Sequence, residues 1–109
     1  MTYDDLVKMA LEHVDVAEST SYGNPSVKRR GRYMFGLNET GETISVKLDW
    51  ENRDWLLGEH PGVIYITPHY HGYPAFRVFL DKLTPELGRE LVEISYADAP
   101  NVAKKRVLP

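Results

Sequence analysis

Ser26-Val27-Lys28-Arg29-Arg30-Gly31-Arg32-Tyr33-Met34-Phe35-Gly36-Leu37, followed by Asn38-Glu39-Thr40-Gly41-Glu42 and then Ile44-Ser45-Val46-Lys47-Leu48, decides the fold. Tyr33, Phe35 and Leu37 alternate with Met34 and Gly36, and Ile44, Val46 and Leu48 alternate with Ser45 and Lys47. A period of two places one side of each strand in a core. The polar segment Asn38–Glu42 between them is hairpin chemistry. Ser26–Lys28 reads as a shorter strand before them, entered through the turn Gly23-Asn24-Pro25, where glycine frees φ and proline excludes the helical region from its predecessor.

The flanks supply helices and two further strands. Thr2 with Asp5 three residues on has the form of a capping box. Leu6, Met9, Ala10, His13, Val14 and Ala17 then recur at helical spacing and predict a first helix of about three turns. Glu18 to Asn24 is polar and reads as a loop. Asp49 predicts the cap of a second helix, Trp50 to about His60, with Trp55 and Leu56 inward, ended by Pro61-Gly62. Val63–Ile66 and Ala75–Leu80 read as strands. Thr84-Pro85-Glu86 opens a third helix whose buried stripe is Leu87, Leu91 and Ile94. Gly36 in a strand and Gly88 in a helix mark close packing. The predicted order is α-β-β-β-α-β-β-α. Short connections pair neighbouring strands antiparallel, so the expected fold is a two-layer α+β domain over residues 1–109. It has a five-stranded antiparallel sheet with helices on one face.

Composition narrows the class. The chain is 42% hydrophobic and 27% charged, has no cysteine, and carries a net charge of −3. Disulfides, thiolate metal sites and cysteine nucleophiles are therefore excluded. The first residues lack a basic and apolar leader, and no apolar run reaches the ~20 residues of a membrane span. A cytoplasmic location with no membrane contact is the expectation. Charge is unevenly spread: residues 26–32 hold four cations and no acid, whereas residues 33–100 hold five cations and eleven acids. Local potential is thus the informative quantity.

The Tyr-Gly-Asn-Pro-Ser segment at Tyr22–Ser26, the basic run into Tyr33-Met34-Phe35, Leu48-Asp49-Trp50-Glu51-Asn52-Arg53, His60-Pro61-Gly62-Val63 and Leu91-Val92-Glu93-Ile94-Ser95-Tyr96 together resemble the MmcQ/YjbR family. The likeness runs from about Tyr3 to about Arg106. It implies an α-β3-α-β2-α arrangement and DNA binding through β-hairpin wings that flank a duplex. The chain departs from the family pattern at Tyr73-Pro74-Ala75-Phe76, where members tend to carry a tryptophan.

Lys28, Arg29, Arg30 and Arg32 are the leading candidate site, with Lys47 and Arg77 as helpers from the sheet. Clustered cations on a hairpin contact phosphates and release counterions. The competing reading is a solvated hairpin whose cations pair with surface acids. Lys104, Lys105 and Arg106 extend the patch only if the tail lies near the hairpin. His69 and His71, two apart, reach one ion if the chain is extended there, but a third ligand is missing nearby, and His13 or His60 supplies one only if the fold brings it close. Asp4, Asp5, Glu12 and Asp15 form an acidic side of the first helix, a weak site for hard cations. Tyr22, Tyr33, Tyr65, Tyr70 and Tyr73 can stack on bases, though strand aromatics commonly serve the core or its rim. Ser26, Ser45 and Ser95 sit in no nucleophile elbow and no phosphate loop follows a strand, so no reaction and no cofactor are expected. The expected partner is DNA. The alternative is an adaptor that binds a protein or peptide, or dimerises, through the open sheet, and the third reading is a metal- or small-ligand-binding protein centred on His69 and His71.

Overall fold

The structure is a computed structural model and describes residues 1–101. Its sheet has strands β1 (Val16–Ser21), β2 (Asn24–Arg29), β3 (Arg32–Leu37), β4 (Thr43–Lys47), β5 (Ile64–Tyr65) and β6 (Ala75–Phe79). They lie in the order β1-β2-β3-β4-β6-β5, and every neighbouring pair is antiparallel. The helices are α1 (Tyr3–Ala10), α2 (Trp50–Glu59) and α3 (Pro85–Asp98). The α+β class and antiparallel sheet agree with the expectation, but there are six strands, not five, and the order is α-β-β-β-β-α-β-β-α.

The additional strand is β1, which takes Val16 and Ala17 from the end of the expected first helix and Glu18–Ser21 from the expected loop. That helix stops at Ala10 and caps at Leu11. Asp15, at φ 65, reverses the chain into β1. Val16–Ser21 is an edge strand with no apolar alternation, so Ser and Thr there disguised it as a loop. Two tight hairpins define this region. Tyr22 and Gly23 have φ of 53° and 81°, and Arg30 and Gly31 have 50° and 78°. Positive φ at both central residues matches the right-handed twist of the flanking strands. The first turn is thus Tyr22-Gly23, and Asn24 and Pro25 belong to β2.

One side of the sheet builds the core. Val27, Phe35, Val46 and Phe76 stand opposite one another across four strands, and Leu37, Ile44, Val78 and Ile64 form the next row. All but the half-buried Leu37 are at most 2% exposed. All three helices contribute to the same cluster: Leu6, Val7 and Ala10 from α1, Leu56 from α2, and Leu87, Leu91 and Val92 from α3. A β-bulge interrupts β3, because Val27 opposes Phe35 while Lys28 opposes Tyr33. Met34 is the extra residue, and it is fully buried beside Phe35. The expectation that Tyr33 shares the face of Phe35 and Leu37 therefore fails: Tyr33 turns to the other side.

The caps form as the residue types require. Thr2 and Asp5 exchange hydrogen bonds of 3.0 and 3.1 Å. Asp49 accepts from the Asn52 amide at 2.8 Å, and Thr84 from the Leu87 amide at 3.2 Å. Within α2, Leu56 is buried as expected, but Trp55 is 51% exposed. The inward position is taken instead by Arg53, whose Nη1 donates to the carbonyls of Tyr70 (2.9 Å) and Tyr73 (3.3 Å) and whose Nε donates to Asp54 (2.9 Å). Gly88 lets the Met1 side chain lie against α3, where a β-carbon would collide with its sulfur. No helix among the described residues is long and apolar enough to cross a membrane.

Phe76→Ala should lower the unfolding free energy by about 3–5 kcal/mol in a urea titration, and Trp55→Ala by about 0.5 kcal/mol or less. Equal losses at the two positions would contradict this core.

Candidate functional site

Strand alternation leaves a second face, opposite the core. Its central row is Ser26, Gly36, Ser45, Arg77 and Tyr65, paired in register from β2 to β5. Lys28 and Tyr33 lie opposite each other on the same face, as do Lys47 and Ala75, and Thr43 and Phe79. On β1 the outward residues are Ala17, Ser19 and Ser21. No Asp or Glu occupies any of these positions.

Tyr33 lies down along this face rather than standing away from it. A β-carbon on Gly36, three residues on, would sit 2.5 Å from its hydroxyl. The hydroxyl donates to the Ser45 carbonyl at 3.4 Å. Burial raises the Tyr33 phenol pKa, with Tyr70 and Tyr3 adding to the effect. Ser45 Oγ lies 2.9 Å from the Tyr70 hydroxyl and 3.0 Å from Asn38 Oδ1. A serine has one proton to give, and the amide oxygen only accepts, so Tyr70 donates to Ser45 and Ser45 to Asn38. Asn38 Nδ2 in turn donates to Thr43 Oγ1 at 2.7 Å.

Arg77 continues this layer. Its guanidinium carbon is 5.7 Å from the Tyr70 ring centroid. The Tyr70 and Tyr65 hydroxyls beside it raise its pKa above the ordinary arginine value, so it is a permanent cation. Its Nε is buried and has no hydrogen-bond partner. Tyr65 stacks on Phe79 with centroids 4.6 Å apart, and Lys82 Nζ lies 4.9 Å from the Phe79 ring. Tyr33, Tyr70, Arg77, Tyr65 and Phe79 thus form a continuous aromatic and cationic surface, each member half-buried. Tyr70 reaches it from the one-turn helix Pro68–Tyr70, held in place by Arg53 from α2.

The cations expected to act together are divided. Lys28 is on the second face, its Nζ 3.2 Å from the Thr20 carbonyl. Arg29 faces the other way: it lies 4.0 Å over the Tyr96 ring and donates to the Tyr96 carbonyl at 2.8 Å, so α3 occupies it. Arg30 sits in the turn, 2.8 Å from Asp15, with its side chain 74% exposed. Arg32 is exposed and has no partner among the described residues. Lys47 shares the second face and is engaged with a neighbour. Lys104, Lys105 and Arg106 lie outside the described residues.

The other candidates take structural places. His69 lies in a helical turn, not an extended chain, so His69 and His71 do not share a side; His69 stacks on Tyr73 at 5.2 Å. His13 is stacked on Tyr96 at 4.4 Å, with Nε2 2.9 Å from Glu93 but out of line for a hydrogen bond. His60 caps α2. Among the described residues no group of three or more His, Asp or Glu side chains is arranged to hold a metal ion. The acids of the first segment do not form one ridge either. Asp5 serves the Thr2 cap, whose hydrogen bonds lower its pKa, Asp15 binds Arg30, and Glu12 pairs with Arg89 at 3.3 Å. Compared with known proteins, the chain matches no family model and no curated sequence.

Two phenols report on this packing. Burial, with Glu18 and Asp4 adding, pushes Tyr3 up to about 12, and Tyr33 is also raised. Each favours its neutral form in the folded chain. Their stabilisation is complete below the unfolded value of about 10 and is lost as pH rises through the folded values. Stability measured by denaturant should fall between about pH 10 and pH 12, less steeply in Tyr3→Phe and Tyr33→Phe variants. Identical pH profiles in all three proteins would disprove the assignment.

Proposed function

We propose that this chain is a small nucleic-acid-binding module, of the kind its resemblance to MmcQ/YjbR proteins suggests. It takes phosphates on the second face of the sheet and at the end of the β2–β3 hairpin. One observation carries this reading. Charge is sorted by face: the outward strand positions hold the cations Lys28, Lys47 and Arg77 and no acid, while the three helices hold nine acids and three cations. A protein of net charge −3 thereby keeps one positive side. Such an arrangement orients the molecule in the field of a polyanion, and the acidic helices point away from it.

The contacts follow from what each cation already does. Lys28 and Arg77 supply charge from the face itself, and Arg30 and Arg32 from the hairpin end. Lys28 gives up only a carbonyl contact when it moves to a phosphate. Arg30 exchanges one exposed carboxylate, an ion pair worth roughly 0–1 kcal/mol. Arg29 is excluded, because moving it would empty the contact with Tyr96. Recognition is electrostatic and tolerant of sequence, with no base readout required.

Four phosphate contacts give a dependence of log K on log salt of about −3.6 on a duplex and about −2.8 on a single strand. The triple variant Lys28→Ala, Arg30→Ala, Arg32→Ala should bind nucleic acid more weakly and flatten this slope by about 2–3 units. Arg29→Ala should lower thermal stability and leave the slope unchanged. Fluorescence anisotropy over a salt series measures both, and a triple variant that binds like the parent would sink the reading.

A further inference from the structure

We infer that the second face takes single-stranded rather than duplex nucleic acid, with unpaired bases stacked on its aromatic rings and phosphates on the cations between them. This rests on the nucleic-acid reading above and names the form of the ligand.

The argument begins with how the rings lie. Side chains on a strand ordinarily stand perpendicular to the sheet. Tyr33 instead runs along β3 to Gly36, and its hydroxyl is fixed at Ser45. Tyr70 reaches the same serine from the loop before β6, its hydroxyl 2.9 Å from Ser45 Oγ. Small residues in the central row, Ser26, Gly36 and Ser45, make the floor on which these rings rest. Tyr65 and Phe79, stacked on each other, extend the layer toward the β5 edge. Each of these four residues is partly exposed, so the layer borders solvent.

A duplex has no use for that surface. Its bases are stacked on each other and present only edges in the grooves, and its phosphates need cations alone. A single strand has free base faces. Sheet surfaces that bind single strands combine aromatic side chains on adjacent strands with cations that follow the backbone. Here the aromatic rings lie among Lys28, Arg77 and Lys82, and no carboxylate stands on the outward strand positions to repel a phosphate. Because every base has a π face, the preference is for strandedness and not for sequence.

The test uses the full chain and a labelled oligothymidylate of about 12 nucleotides, against a duplex of equal length, by fluorescence anisotropy at low salt. The single strand should bind at least roughly tenfold more tightly. Tyr65→Leu, on the edge strand, should weaken single-strand binding roughly tenfold with an unchanged salt slope, and Tyr33→Leu should do the same if circular dichroism shows it folded. Duplex binding equal to or tighter than single-strand binding, with the salt slope retained, would overturn the single-strand assignment and leave the nucleic-acid reading intact. Binding of neither form would overturn both. A Tyr65→Leu variant that binds the single strand like the parent would overturn stacking on this face.

Discussion

One inserted residue sets the phase of the sheet. Without Met34 as a bulge, strict alternation in β3 would hold Tyr33 on the core side with Phe35. With it, two consecutive side chains enter the core, and Tyr33 crosses to the other face. Full burial of a methionine stabilises by about 1.5–3 kcal/mol, enough to hold the irregularity in place. The same shift leaves Gly36 beneath the Tyr33 hydroxyl and puts Lys28 opposite Tyr33. A larger residue at position 36 would exclude the ring. Core packing and surface chemistry are therefore two results of one backbone event.

The separation of charge by layer has a simple origin. Asp4, Asp5, Glu51 and Glu86 lie in the first turns of their helices, where the helix dipole favours anions. Further acids lie on exposed helical positions. The strands have no such requirement, and their outward positions carry lysine, arginine, small residues and aromatics. Arg89, one of three helical cations, is consumed locally by Glu12 and Glu93. The hairpin is where the two layers meet, and Asp15 reaches Arg30 there.

Much of this was legible in the sequence, for reasons that differ by element. Caps at Thr2, Asp49 and Thr84 depend on local hydrogen bonds that any reader of residue types can infer. The core rows follow from alternation in β3, β4 and β6. The edge strand β1 was not legible, because an edge needs no apolar period and Ser and Thr suit a loop equally well. A signal was present in Tyr22-Gly23 and Arg30-Gly31, two X-Gly pairs at hairpin spacing, which the more familiar Asn24-Pro25 obscured. Alternation separates Lys28 from Arg29, but it does not show that Lys28 shares its face with Lys47 and Arg77, which depends on the strand register. The withdrawal of Arg29 was not readable, since it depends on a tyrosine of α3 distant in the chain. The role of Tyr70 was also hidden: its loop carries no periodicity, and its position comes from a buried arginine.

That arginine ties the outer surface to the helical layer. Arg53 is 5% exposed, and its guanidinium holds the backbone oxygens of Tyr70 itself and of Tyr73 and Ala75 beyond it. The loop makes its own turns, but they are fastened from beneath by a cation that never reaches the surface it organises. Deprived of that anchor, its carbonyls would turn to solvent, and the aromatic floor would come apart at its middle plank while the sheet below stayed whole.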